Sequence, residues 1–460
     1  MHQVWRAKTI TSILASAILP IAALTLTAAV QTSGAKLAPD AIAASDLENR
    51  THLILLHHCV VCHTVQGAAP FSLVIALQAR RKSQLIAEVT ASGYMPPWLP
   101  SGGDVTFEND RTLSPHDIRT LHDWSTENHV PSLMAAHKLH SNGKQKTAPN
   151  QQKLPSVYVL KAPQTYTVPS EGTDTYRCFV LPKPVPSVNG WTNIQINVEN
   201  PSSVKHAALF LDNSGIARKL QSQSGGVGYT ARRGGLPITA PRIAEWSPDH
   251  AVTRFPRNLG WQIDRNADLV LEMAYEPLGH TVQNRPEVTL QRSAAPVTIP
   301  VQFSLGVSEF SMRPDQTARV TDHIVLPANA VIANISPHLH PVCRSVELTA
   351  RLPTGKTLHL LSIKKWSSLW QEVYVPAKPM ILPKGTEISL AIDADNTRSN
   401  TTMPYVQNME VIPGLNWMEE MAEVTLEMVA KNPTGNQKLT EESARTHTAV
   451  ITDSLSKQHG

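Results

Sequence analysis

Cys59-Val60-Val61-Cys62-His63 sets two cysteines three residues apart with a histidine directly behind them. C-x-x-C-H is the attachment spacing of a c-type haem. Two thiols add across the two vinyl groups, and the adjacent imidazole reaches the iron from one face. The motif predicts a small all-α cytochrome c-like domain over residues 45–132. Leu53 to His58 reads as the helix leading into it. Ser72 to Thr90 reads as a second helix, with Leu73, Leu77, Leu85 and Val89 among its apolar positions. Ser114 is placed to cap a third, with Pro115 at its first position and Asp117 in its first turn. Ile118, Leu121 and Trp124 then recur at helical spacing.

The expected sixth iron ligand is Met95, in Gly93-Tyr94-Met95-Pro96-Pro97-Trp98. A thioether opposite the histidine raises the haem potential and favours electron transfer. Two prolines stiffen the loop that carries it. His57 and His58 compete for the role, but sit close before Cys59, on the side of the proximal ligand. Arg80, Arg81 and Lys82 read as a solvated helix face, or as a surface for haem propionates or a redox partner.

Upstream, residues 1–35 read as a signal peptide. Arg6 and Lys8 precede an apolar stretch from Ile10 to Leu26, and an Ala-x-Ala-like cleavage falls after Ala29 or Ala35. Pro20 and the neighbouring serines and threonines weaken this stretch as a permanent span, although an uncleaved anchor is the alternative. The expected compartment is the periplasm, and no later segment is apolar enough to span a bilayer. With 41 Lys and Arg against 37 Asp and Glu, the charge balance argues against a nucleic-acid partner. A periplasmic redox partner fits a carrier of electrons better.

Downstream, residues 133–153 are polar and read as a linker. Roughly 280 residues follow before a polar tail, enough for two domains. Ile194, Ile196 and Val198 alternate with polar residues, as do Val346, Leu348 and Ala350, then Ile388, Leu390 and Ile392, then Val424, Leu426 and Met428. Pro353-Thr354-Gly355 and Pro383-Lys384-Gly385 supply turns, and the chain holds 35 prolines. Short alternating strands between such turns predict antiparallel β-sandwiches over 154–298 and 299–430, with 431–460 a disordered tail.

Within the β region, Pro337-His338-Leu339-His340 puts two imidazoles on one face of a strand. Alone, H-x-H in a chain with 19 histidines is weak. Met421, in Trp417-Met418-Glu419-Glu420-Met421, adds a thioether, and two histidines with a thioether suit copper, Cu(I) above all.

Here the segments line up with a family. Asp174-Thr175-Tyr176-Arg177-Cys178 resembles a T-Y-x-C segment, Val204-Lys205-His206-Ala207-Ala208-Leu209-Phe210 a V-H-H-x-x-x-F strand, and Met273-Ala274-Tyr275 an x-H-Y segment. His338-Leu339-His340 resembles an H-x-H, Glu419-Glu420-Met421 a D-E-M, and Trp366 to Gln371 a W-x-F-x-W-Q stretch. In this order they resemble the core of the copper type II, ascorbate-dependent monooxygenases, the peptidylglycine α-hydroxylating and dopamine β-monooxygenase kind. Some bacterial members carry an N-terminal cytochrome. The resemblance implies two jelly-roll-like β domains with one copper each. It assigns His338, His340 and Met421 to the M-site copper, which binds dioxygen.

The chain departs from the family at the second, electron-storing copper, which takes three histidines. Lys205 and Ala274 stand at two of those positions, and only His206 remains. A lysine repels a cation and an alanine donates nothing, so His206 reads as a packed strand residue. His280, six residues past Ala274, is a distant substitute. Two readings follow. In one, an exported oxidoreductase hydroxylates a small-molecule substrate at a single copper fed by the covalent haem. In the other, the chain is an electron-carrying cytochrome whose β module only binds copper or a partner. Ser336 stands where the peptide-amidating enzyme has an arginine for the substrate carboxylate, so the substrate does not carry over. Cys178 and Cys343 can pair in an oxidising compartment, adding about 3–5 kcal/mol by loop entropy, or stay as buried thiols.

Overall fold

The computed structural model describes residues 39–64, 69, 71–108, 110–127, 157–172, 175–184, 186–237, 240–247, 252–253, 259–307, 310–368, 370–400, 410–411, 421–445 and 450–455. The expected signal peptide and linker lie outside these residues. Among them, no helix is long and apolar enough to cross a membrane.

The haem-motif region is helical. Helix α1 (Pro39–Ile54) passes into a π-type turn, Leu55–Cys59, just before the motif. Two short helices follow, α2 (Ala76–Arg81) and α3 (Ser83–Ala91), and then α4 (Pro115–Thr126). The expected second helix is thus broken at Lys82, and its buried face is Ala79, Ser83, Ile86, Ala87 and Thr90. Leu77 and Leu85 are exposed instead. Ser114 does cap α4: its hydroxyl accepts from the Asp117 N–H while the Asp117 carboxylate accepts from the Ser114 N–H, satisfying two otherwise orphaned donors.

The rest is β structure. Strands β1 (Val157–Lys161), β2 (Tyr166–Val168), β3 (Thr175–Val180), β4 (Trp191–Asn197), β5 (Val204–Asp212), β6 (Arg242–Trp246), β7 (Val252–Thr253), β8 (Asp268–Tyr275), β9 (Val282–Asn284) and β10 (Glu287–Arg292) come first, with helix α5 (Ile216–Gln223) between β5 and β6. Sheets β1-β10-β4-β7 and β3-β8-β5-β6 close over Trp191, Ile194, Ile196, Leu209, Leu271 and Val288. Then come β11 (Val301–Val307), β12 (Gln316–Val325), β13 (Ala330–Leu339), β14 (Cys343–Arg351), β15 (Thr357–Ile363), β16 (Met380–Leu382), β17 (Glu387–Asp395), β18 (Ala422–Ala430), helix α6 (Pro433–Ala444) and β19 (Val450–Leu455). Sheets β11-β18-β13-β16 and β15-β14-β17-β12-β19 share a second core that includes Leu305, Val320, Ile335, Leu348, Ile392 and Leu426.

The structure overturns the expectation of a separate all-α cytochrome c domain ahead of two jelly-roll-like domains. The described chain is predominantly β, and residues 46–460 form one compact unit. The reason lies between Met95 and Arg111. Pro96, Pro97 and Pro100 cannot donate helical hydrogen bonds, so this stretch runs extended against the C-terminal sheets. The Ser101 and Asp104 N–H groups donate to the Ser362 and His359 carbonyls at 2.8 and 3.0 Å. Phe107 bridges to Pro376 and enters the second β core. Trp98 meets Tyr374 edge-on at 5.5 Å. The helices keep a small core of their own, with Leu47, Ile54, Leu73, Ile86, Leu121 and Trp124, and the extended stretch after Met95 ties them to the sheets.

Arg111 fixes the junction. Its guanidinium donates to the Glu372 carboxylate (3.0 Å from Nη1 to Oε1), to the Pro97 carbonyl at 3.1 Å, and lies over the Trp98 ring. The pair is buried, so removing one partner strands the other charge. Arg111→Ala should cost about 3–5 kcal/mol in denaturant unfolding. A loss under about 1 kcal/mol would mean that the helical segment is not anchored here.

The disordered tail expected over 431–460 is also corrected. Asn432 caps α6 by accepting from the Gly435 N–H, Leu439 is fully buried, and β19 adds to the edge of β12. One buried leucine per three turns is too weak a pattern to read as a helix from sequence. No disulfide joins Cys178 to Cys343. The Cys178 thiol donates to the Ala231 carbonyl at 3.1 Å, and Cys343 lies 3.8 Å from the Met421 carbonyl.

Candidate metal centre

β13 and β18 pair antiparallel, with His338 opposite Glu423 and Leu339 opposite Ala422. The His340 N–H donates to the Met421 carbonyl at 3.0 Å, extending that register by one pair. Alternation sends Ile335 and Leu339 of β13, and Ala422, Val424 and Leu426 of β18, into the second β core. The opposite face therefore carries Asn334, Ser336, His338 and His340 beside Met421, Glu423, Thr425 and Glu427. The pleat and register bring His338, His340 and Met421, distant in sequence, onto one face. The Trp366 indole braces this strand by donating to the Leu339 carbonyl at 3.2 Å.

That face does not meet solvent. It meets the sheet containing β5, β6 and β8, whose facing residues include His206, Arg242, Glu245 and Glu272. The His206 and His338 rings lie 4.8 Å apart between centroids, and His338 and His340 5.8 Å. His206, His338, His340 and Met421 are 7, 7, 2 and 4% exposed. Both ring nitrogens of His206 and Nδ1 of His338 lack a hydrogen bond, though His206 Nε2 stands 3.8 Å from Glu245 Oε2. Each buried orphan costs about 1–3 kcal/mol, so a cluster of them asks for an occupant. A cavity lined by Tyr176, His206, Arg232, Arg233, Arg242, Glu272, His338 and Met421 adjoins it. Its volume of about 20 Å³ suits one water; three guanidinium groups are in its lining and His340 is not. Imidazoles and a thioether make a donor set that suits copper.

Charge is balanced around this cluster. Burial, followed by the fields of His206, Arg242, His340 and Arg232, pushes His338 well below the ordinary histidine range, which leaves it neutral, the form that binds metal. Burial raises Glu245, but Arg242 foremost, with His206 and Ser336, outweighs it and holds the carboxyl at about 2. The Ser336 hydroxyl donates to Glu245 at 2.9 Å. Glu272 is raised by burial, whereas Arg233 and Arg242 draw Glu423 down against its own burial. None of these carboxylates is marked by a sequence motif; their strands read as half-solvated until the second sheet arrives.

Glu427 shows the cost of this seam. Burial lifts its carboxyl to about 7, although Gln302 donates to it at 2.8 Å and Asn334 at 2.7 Å. The folded state therefore holds a proton that the unfolded chain releases near its ordinary value. Stability from this group is present below that value and falls as pH rises towards 7. Glu427→Gln should stabilise the chain at pH 8 by about 1–3 kcal/mol while changing little at pH 4.5, read by denaturant titration at both. Equal effects at the two pH values would mean that Glu427 is ionised throughout.

Beside His206, the other positions of the second histidine set bring no imidazole. Lys205 pairs with Glu276 at 3.4 Å, Ala274 lies opposite His206 with no donor atom, and His280 is exposed after β8. Among the described residues, no group of three or more His, Cys, Asp or Glu side chains is arranged to hold a metal; the cluster here depends on Met421.

At the other expected site, the Cys62 and His63 N–H groups both donate to the Cys59 carbonyl, at 3.2 and 3.0 Å, turning the motif tightly. His63 Nδ1 lies 2.9 Å from the Phe71 carbonyl, so Nε2 is the nitrogen left for an axial bond. That orientation fits a haem ligand. Met95 is half-buried at the end of the turn after α3, its N–H on the Val89 carbonyl at 2.9 Å. His57 is exposed, and His58 Nδ1 lies 3.3 Å from the Arg111 carbonyl. Arg80 donates to the Trp124 and Glu127 carbonyls, and Lys82 sits over the Phe71 ring. Both side chains thus have partners within the protein.

Neither a protein-family model nor a curated protein matches this chain. Among solved structures, the major capsid protein P2 of bacteriophage PM2 is 12% identical, covering 60% of this chain and 99% of its own, at a TM-score of 0.24. A peptide-N(4)-(N-acetyl-β-D-glucosaminyl) asparagine amidase is 10% identical, over 64% of this chain and 99% of its own, at 0.25. A two-domain protein of unknown function from Bacteroides fragilis is 7% identical, over 59% and 94%, at 0.14. TM-scores this low carry no argument about fold or function.

Proposed function

We propose that this chain is an exported, haem- and copper-binding oxidoreductase of monooxygenase type. The observation that carries the reading is that His338, His340 and Met421 lie buried on one face, with Nδ1 of His338 lacking a hydrogen bond. Copper held by these residues would supply one-electron redox chemistry and activation of a small oxidant such as dioxygen. Haem bound through Cys59, Cys62 and His63 would supply a second one-electron centre.

The chain's own residues tie the two regions together. Three residues after Met95, Trp98 packs on Tyr374. Tyr374 exchanges two backbone hydrogen bonds with Ile335, at 2.8 and 2.9 Å, three residues before His338 on β13. Trp98 and Arg111 thus hold the haem-motif segment against the layer that carries the histidines. Burial keeps His338 neutral, and Glu245 faces the His206 ring.

Lys205 and Ala274 favour a second reading, an electron carrier whose β module binds copper without catalysis. Dioxygen consumption by the reduced, copper-loaded chain separates the two: uptake above free copper supports the oxidoreductase, and none favours the carrier. Met95→Ala should remove the weak near-infrared sulfur-to-iron band of the oxidised haem. An unchanged spectrum would point to another axial ligand.

A further inference from the structure

We infer that the cavity beside His338 is an anion site: it takes one small monovalent anion, a halide or the carboxylate end of an organic molecule, against Arg232, Arg233 and Arg242. The inference needs no metal and stands apart from the copper reading.

The lining carries the argument. Guanidiniums of Arg232, Arg233 and Arg242 and imidazoles of His206 and His338 meet one carboxyl there, Glu272. Burial disfavours the charge on that carboxyl, and the Gly234 N–H already donates to it at 3.2 Å. Glu245 and Glu423, which face Arg242 and Arg233, lie outside the lining. Guanidiniums are weakly hydrated planar forks that suit anions, and three of them together repel a cation. His206 is 7% exposed, and neither of its ring nitrogens makes a hydrogen bond. An imidazole always keeps at least one N–H to donate, so an anion would satisfy a donor that burial otherwise penalises. The volume of about 20 Å³ admits one atom of about the size of a water, which fits a halide or a single carboxylate oxygen.

The backbone builds this wall in advance. Arg232 and Arg233 stand in a short turn, Arg232–Gly235, in which Arg233, Gly234 and Gly235 hold φ of 48, 64 and 68°. Glycine adopts the left-handed region freely, whereas a long side chain there is uncommon. A Cβ on Gly234 would meet Val270 at 2.8 Å, and one on Gly235 would meet Leu220 at 2.6 Å, so the turn closes directly onto β8 and α5. The Tyr229 hydroxyl pins it by donating to the Gly234 carbonyl at 2.8 Å. Arg233 keeps its unusual backbone with its guanidinium over the Phe210 ring at 5.4 Å. Strain of this kind at a cavity wall points to function. Arg242 comes from β6, and its Nη2 donates to the Thr425 hydroxyl at 2.8 Å. Guanidiniums from two separate elements are thus fixed before a ligand arrives, which lowers the cost of binding.

The full chain is prepared free of halide and copper, and chloride NMR reads a bound halide as a broadened line. Unaltered protein should broaden the line, and sodium formate should narrow it again by competing for the cavity. Arg233→Gln and Arg232→Gln should each weaken chloride by about tenfold or more. Arg233 is buried and Arg232 only half-buried, so the second variant serves where the first folds poorly. Formate that displaces chloride at the lower concentration of the two identifies an organic carboxylate as the better occupant, and formate that acts only in excess identifies a free halide. Bromide diffused into crystals of the unaltered chain should give an anomalous peak within this cavity, a reading that needs no variant. An unbroadened line, broadening that both folded variants retain in full, or a bromide peak only elsewhere would overturn the assignment and leave the cavity to a water.

Discussion

His338→Ala should abolish stoichiometric copper binding. The residue is central: its ring is flanked by His206 at 4.8 Å and His340 at 5.8 Å, and it is buried with an unbonded nitrogen. Loss of an outer-shell partner alone weakens metal sites by about 10–100-fold, and loss of a direct ligand exceeds that. The effect is readable without activity. A ligand at a hundred times its dissociation constant stabilises a folded protein by about 2.7 kcal/mol. Copper should therefore raise the unfolding midpoint of the unaltered chain and leave that of His338→Ala in place. An equal shift in both proteins would remove His338 from the site.

Replacing Cys59 and Cys62 by alanine should eliminate covalent haem altogether, and either single change should eliminate the doubly linked form. The tight turn, with two N–H groups on the Cys59 carbonyl, draws Cys59, Cys62 and His63 together in the backbone. His63 stays aligned by the Phe71 carbonyl, so any haem that remains should be extractable. Haem that stays attached through acid extraction of the double variant would refute the assignment of the motif.

The two sites differ in how far the sequence exposed them. C-x-x-C-H is contiguous, and the strand period of two alone put His338 and His340 on one side. Met421 needed the register of β18 against β13, which no local pattern encodes. His206 read as a packed residue because only the approach of a second sheet turns it towards His338. Glu423, Thr425 and Glu427 alternate with Ala422, Val424 and Leu426 as in a half-solvated strand, and their burial is a tertiary event. The stretch from Pro96 to Arg111 has no periodicity. Its attachment to the sheets, which removes the separate helical domain, comes from single contacts such as Phe107 to Pro376 and Arg111 to Glu372.

The most direct test is the haem and copper content of the full chain produced in a host that attaches c-type haem. The account predicts one covalent haem and one copper per chain, with the copper lost in His338→Ala. Haem without copper would contradict it and leave the β layers as a scaffold, and two coppers would show that the positions around Lys205 and Ala274 hold a metal of their own.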